Sequence, residues 1–396
     1  MIKTNKLLII YSALLLVVIF IGIKIFSFSE ESLMYFDALH YLTIKNEGYY
    51  GIEVAFFPLF PLIWKVLSLS PLGISILNAG VYFLSVCLLF RHFKFSDKQK
   101  FLALLTPGLI FFIVPYSEAF FFCAASMLVI GISKRDLRLT IVGLFFCVIC
   151  RPSFTVLFPA LILMELFSQN PKGKWKRVLI YFLVILIGSF IVALIQYVGT
   201  GKWFEYFSVQ SVWDNELRIP TLPLRSWGYE AVIMLDGVAL LIGVVSGLVL
   251  LQSMITGKTT DMSDVLKLSL AYLGGMSLLV LFFRGGSLFS LNRFIFCSPF
   301  FFIVVGTFFK DKMTLKTKTI LMIVFVLLCY WLLFGSYVHI QTFLRYGVLS
   351  IGLSLVLLIK HTRLSVRKVG FFILCICLFS VQLFFVYKYL TGNWVG

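Results

Sequence analysis

VLIYFLVILIGSFIVALIQYV, from Val178 to Val198, is an uncharged and mostly apolar run, and Lys172, Lys174, Lys176 and Arg177 crowd its N-terminal flank. A helix rises about 1.5 Å per residue and the hydrocarbon core of a bilayer is about 30 Å thick, so a run of this length crosses it once. Its basic flank belongs on the cytoplasmic side. Working outward, comparable segments recur at 7–28, 71–90, 101–114, 117–133, 139–150, 153–167, 231–252, 265–283, 294–309, 319–338, 347–359 and 369–389. Hydrophobic residues make up 61% of the 396 positions and charged residues 13%, against about 25% charged in soluble domains. A soluble fold has nowhere to bury so many apolar runs. The sequence predicts an all-α polytopic membrane protein of about 13 transmembrane helices, residues 1–396 forming a single transmembrane domain.

Charge sets the expected orientation. Of the 34 Lys and Arg, 23 fall in alternate short connections, and 11 of the 17 acids fall on the opposite side. This pattern puts the N-terminus in the cytoplasm and the C-terminus outside, with longer outer loops at 29–70 and 199–230. The segment 7–28 lacks a small-residue cleavage site and is expected to remain as the first helix. The net charge of +17 would suit a nucleic-acid partner, but its dispersal among inner loops argues for a bilayer and against nucleic acid. All eight cysteines lie in apolar segments. Cys147-x-x-Cys150, with no further Cys or His pair beside it, reads as packing rather than a redox or metal motif. No acidic cluster with metal-ligand spacing is visible, and no metal or cofactor is expected.

The chemistry-bearing residues gather in the expected outer segments. Asp37 and His40, three apart on a helix expected at 32–46, share a face. An Asp there can act as a general base if an acceptor hydroxyl comes within reach; alternatively the helix is interfacial with a merely wet polar face. Tyr41 and Tyr49 follow, then Phe56-Phe57-Pro58-Leu59-Phe60-Pro61, a kinked interfacial stretch. Tyr116 and Glu118 belong to a tight turn, where Glu118 is either a site residue or an acid at a helix start. Arg151, next to Pro152, needs an anion: a lipid phosphate, or Glu118 in a structural pair. Arg284 and Arg293 bracket a glycine-containing loop, as a phosphate clamp or as helix-end residues snorkelling to the interface. His339 and Arg345 carry a weaker version of the same signal, and His92 and His361 fall in inner loops with no role assigned.

Phe36-Asp37-Ala38-Leu39-His40-Tyr41, Gly48-Tyr49, Ala55-Phe56-Phe57-Pro58-Leu59-Phe60-Pro61, Tyr116-Ser117-Glu118 and the later Arg151 together resemble the family of the GPI-anchor second-mannose transferase (PIG-V-like), within the GT-C superfamily of membrane glycosyltransferases. The match covers roughly the first 155 residues and thins afterwards to helix number, Gly199-Thr200-Gly201, Trp213 and Arg293. Two positions depart: Phe36 stands where the family has Trp, and Arg151-Pro152-Ser153 lacks its polar-Gly continuation. The resemblance implies a GT-C-like bundle, with 1–170 as its catalytic core and 171–396 as C-terminal helices. It implies a glycosyltransferase taking a hexose, with mannose expected, from a polyprenyl-phosphate sugar donor to a lipid-linked or glycan acceptor outside the membrane. Asp37, His40 and Glu118 would be catalytic, Arg151, Arg284 and Arg293 would bind the donor phosphate, and Tyr41, Tyr49 and Tyr116 would line the substrate site. The chain is short for a eukaryotic member, so a prokaryotic plasma membrane and an acceptor other than a GPI precursor are expected. The competing expectation is a transporter or flippase; a ligase of lipid-linked glycans is a further rival. Transporters often carry internal repeats and midplane sites, and neither pattern is visible.

Overall fold

The computed structural model describes residues 29–168, 170, 172–310 and 364–396. The expected helices at 7–28, 319–338 and 347–359, with His339, Arg345 and His361, lie outside these residues. Every named element among the described residues is helical, and the sole extended pairing is an isolated bridge between Arg225 and Ser287. Among the described residues five helices are long and apolar enough to cross a membrane: Pro71–Phe93, Lys174–Thr200, Ala231–Ile255, Asp264–Phe283 and Val369–Leu390. The chain is therefore a helical protein of the membrane-spanning type. Leu137–Cys150, Phe154–Leu166 and Pro299–Phe308 are shorter apolar helices packed among them.

In chain order the α-helices are α1 (Asp37–Glu47), α2 (Leu59–Leu67), α3 (Pro71–Phe93), α4 (Asp97–Leu104), α5 (Glu118–Lys134), α6 (Leu137–Cys150), α7 (Phe154–Leu166), α8 (Lys174–Thr200), α9 (Glu205–Val209), α10 (Glu230–Ile255), α11 (Asp264–Phe283), α12 (Leu291–Phe296), α13 (Pro299–Lys310) and α14 (Leu364–Leu390). Local chemistry sets several starts. Ser70 caps α3, accepting from the Gly73 N–H with Pro71 at the first position. Ser96 and Gln99 form a capping box on α4, and Asp136 and Ser263 cap α6 and α11. Each cap satisfies an N–H that lipid cannot.

Glycine sets two close crossings. A Cβ on Gly131 of α5 would lie 2.6 Å from the Thr140 backbone nitrogen, and one on Gly143 of α6 would meet the Leu128 backbone. In the α10–α11 hairpin, a Cβ on Gly274 would lie 3.0 Å from the Gly247 Cα. Bare glycine faces let backbones approach where lipid offers no hydrophobic drive for association. Helix α11 is the central member, with 67% of its apolar window buried, against 28% for α8 and 11% for α14.

Two expected spans are broken. The stretch 101–114 is not one helix: α4 stops at Leu104, and Pro107 starts a 3-10 turn over Pro107–Phe112. Proline supplies no N–H to continue the ladder, and the freed Leu104 and Thr106 carbonyls accept from Gln382 Nε2 of α14, both at 2.7 Å. Likewise 294–309 divides into α12 and α13 at Cys297-Ser298-Pro299. The helix expected at 32–46 begins only at Asp37, after a 3-10 turn over Glu30–Leu33.

Helix direction places the connections. The 115–117 turn, the α6–α7 junction, the 284–290 loop and the 201–229 loop meet at one end of the bundle. The basic connections at 134–138 and 172–177 lie at the other, where His92 reaches Ser133 at 2.9 Å. At that second end Glu165 of α7 accepts from Arg177 Nε and Nη2 and from Tyr181. Lys267 of α11 is held there by Asp264 and the Phe167 carbonyl.

Candidate active site

At the first end, α1 delivers Asp37 as its opening residue. The preceding Phe36 adopts φ 55°, ψ −120°, a left-handed conformation that costs an aromatic residue free energy and turns the chain sharply into the helix. Asp37 Oδ2 pairs with Arg293 Nη2 at 2.7 Å, and Arg293 Nε lies 2.9 Å from Glu118 Oε1. Glu118, 1% exposed, accepts in turn from Arg151 Nη1 at 2.9 Å. The result is an alternating chain of charge, Asp37–Arg293–Glu118–Arg151, drawn from α1, α12, α5 and the α6–α7 junction. Alternation offsets much of the cost of taking four charges out of water.

Each member is held by its own element. The Pro115-Tyr116-Ser117 turn that starts α5 at Glu118 is pinned by Asn78, whose Nδ2 donates to the carbonyls of Val114 at 2.6 Å and Tyr116 at 3.0 Å. Arg293 is set by the short helix α12, whose Asn292 N–H donates to Asp236 Oδ1 at 2.8 Å. Asp236, wholly buried in α10, also accepts from Ser226 at 2.5 Å. It belongs to a spanning helix. Arg284 donates to Asn215 Oδ1 at 2.9 Å and to the Phe289 carbonyl at 2.5 Å, and lies over the Phe289 ring. Burial, and then the neighbouring Arg293, push its guanidinium down to about 10, so it is still charged at neutral pH.

Asp37, Arg151, Arg284 and Arg293 line one cavity of about 480 Å³ with Tyr41 and Trp394. Three guanidinium groups and one carboxylate face it, and with Glu118 behind them these five groups sum to one positive charge. Part of the wall is apolar: Phe207 on one side, and Met276, Leu279, Val280 and Phe283 along α11. Backbone hydrogen bonds run from Arg218 to Phe282, Thr221 to Gly285, Arg225 to Gly286 and Leu288 to Arg225. The second long loop is thus knitted to the arginine-bearing loop.

Of the nine candidates, Asp37, Tyr41, Arg151, Arg284 and Arg293 border this cavity. Glu118 stands behind it, with Arg151 and Arg293 both meeting its Oε1. His40 is not the partner of Asp37: its Nδ1 lies 3.4 Å from Glu53 Oε1 and its ring stacks on Phe56. The tyrosines are mostly structural. Tyr41 donates to Ser117 at 2.9 Å, and burial raises its hydroxyl far above the ordinary phenol range. Tyr49 donates to the Phe56 carbonyl and packs so closely on Gly199 that a Cβ there would lie 2.8 Å from it. Tyr116 donates to the Tyr35 carbonyl under the Arg293 guanidinium. Asn78, Asp236 and Trp394 are not among the nine. The first two had a legible signal, since a lone polar side chain in an apolar run is costly unless partnered. Comparison of the chain with protein-family models, with curated proteins and with solved structures finds no match.

Proposed function

We propose that the chain is a glycosyltransferase that moves a hexose, with mannose as the expected sugar, from a polyprenyl-phosphate donor to a hydroxyl of a lipid-linked or surface glycan. The observation that carries this reading is one carboxylate, Asp37, sharing a cavity with three arginines and an apolar wall. A phosphodiester on an isoprenoid chain needs both surfaces: guanidinium forks for the phosphate and apolar side chains for the lipid. The donor's single negative charge matches the one positive charge of these five groups.

In the proposed reaction the acceptor oxygen attacks the anomeric carbon from the face opposite the phosphate. Its bond to carbon forms as the carbon–oxygen bond to phosphate breaks, inverting that carbon. The hydroxyl proton passes to Asp37, whose Oδ2 is held by Arg293, and the bonding pair leaves on the polyprenyl phosphate. Arginines already in place stabilise that growing charge without reorganising. Glu118 acts by holding Arg151 and Arg293, and His40 with Glu53 by shaping the first outer loop. The proposal includes a GT-C-like bundle of about 13 spans in a prokaryotic plasma membrane, with the N-terminus cytoplasmic and the site extracytoplasmic.

The test is transfer of label from radiolabelled polyprenyl-phosphate mannose to a membrane lipid extract by the protein in nanodiscs, comparing wild type with Asp37→Asn. Loss of transfer in a variant that still melts cooperatively supports the base assignment. Undiminished transfer removes Asp37 from the mechanism, and movement of substrate across vesicles without a covalent product makes the chain a transporter.

A further inference from the structure

Two tryptophans bracket Asp37 at the cavity. Trp394 packs edge-on to Phe36 with ring centroids 4.9 Å apart, and Trp213 packs edge-on to His40 at 5.5 Å. Both indoles line the cavity that Asp37 lines. Each carries a buried Nε1–H with no hydrogen-bond partner. Buried donors are almost always satisfied, and an unsatisfied one calls for an explanation. Two of them on one cavity, with the unpartnered Nη1 of Arg293, suit a ligand rich in acceptors.

The segment that brings Trp394 is firmly seated. Tyr389 donates to the carbonyls of Leu33 and Tyr35, both at 3.1 Å, and Asn393 accepts from Tyr229 at 2.9 Å. Val395 is 1% exposed, and a Cβ on Gly396 would lie 2.5 Å from Asn292 Oδ1 and 2.7 Å from the Phe111 ring. Trp394 is thereby fixed between the loop of Asp37 and the loop of Arg293. Trp227 backs it at 5.5 Å without bordering the cavity.

We propose that Trp213 and Trp394 form a pyranose-binding subsite flanking Asp37, their N–H groups donating to sugar hydroxyls and their ring bodies covering the sugar's apolar C–H faces. An indole combines an apolar plate with one donor, and a pyranose offers the complement: C–H surface with hydroxyl acceptors at its rim. This rests on the glycosyltransferase reading and deepens it, by naming what recognises the sugar apart from the phosphate. The ring held there belongs either to the donor or to the acceptor.

Binding to the nanodisc protein, followed calorimetrically, separates the outcomes. The probes are farnesyl phosphate, farnesyl-phosphate mannose and methyl α-mannoside. Wild type should bind both lipids. Trp394→Phe and Trp213→Phe should each weaken farnesyl-phosphate mannose roughly tenfold, the worth of one buried hydrogen bond. Both should leave farnesyl phosphate within about twofold, and Trp227→Phe should change neither. If the two substitutions spare the donor but abolish methyl α-mannoside binding, the subsite stands and holds the acceptor's ring. If wild type binds the sugar-bearing lipid and both substitutions leave every affinity intact, the subsite is overturned while the donor assignment survives. Binding of neither lipid by wild type sinks both.

Discussion

Replacing Glu118 with Gln keeps the shape of a side chain that is 1% exposed and removes only its charge. Arg151 and Arg293 each lie 2.9 Å from its carboxylate, so the local charge rises from one positive to two. Removing one partner of a buried ion pair costs about 3–5 kcal/mol. The lower end applies here, because Arg293 keeps Asp37 at 2.7 Å and the Arg151 side chain is 14% exposed to the cavity. Domains of 150–250 residues lose about 2–4 °C per kcal/mol, and longer chains less, so the melting temperature should fall by roughly 5 °C. Scanning fluorimetry in nanodiscs would read it, with and without farnesyl phosphate. The anion supplies the charge that Glu118 no longer does, so ligand should raise the melting temperature more in Glu118→Gln than in wild type. A variant that melts within a degree of wild type, or gains no more from the ligand, would show that Glu118 does not neutralise these arginines.

Gly143→Ala should lower the melting temperature by several degrees, because its Cβ meets the Leu128 backbone and overpacking costs about 1–3 kcal/mol; an unchanged melt would mean the α5–α6 crossing is looser than described. Asp236→Ala leaves the buried Asn292 N–H unpaired, at about 1–3 kcal/mol. Hydrogen exchange at Asn292 and Arg293 should accelerate and transfer should slow, with Asp236→Asn much milder; equal effects of Asn and Ala would contradict the hydrogen-bonding role. Glu165→Gln breaks the Arg177 clasp at the far end of the bundle. It should lower the melt but leave transfer at 25 °C within about twofold of wild type, and a large rate loss would couple the two ends.

Hydropathy gave the membrane character and most helix positions, because a charge-free run of about 20 residues has few other uses. Asp37, Arg151 and Arg293 stood out for the same reason, as groups that are expensive near lipid. The breaks at Pro107 and Pro299 were missed although both prolines are visible, since apolarity outweighed the missing N–H in a count of hydrophobic residues. Helical spacing paired Asp37 with His40, whereas the fold turns His40 to Glu53 and brings Arg293 to Asp37 from 256 positions further along the chain. Spacing reports neighbours on one helix and carries nothing about such closures. Trp394 was illegible for that reason too, since its value lies wholly in ring contacts with distant segments.

The single surplus positive charge at the cavity has a kinetic corollary. Cleavage would turn a singly charged phosphodiester into a phosphomonoester carrying up to two negative charges, and the same arginines would grip the spent carrier harder than the incoming one. Turnover would then be limited by departure of the bare lipid phosphate, which should inhibit competitively at concentrations below those at which the donor saturates.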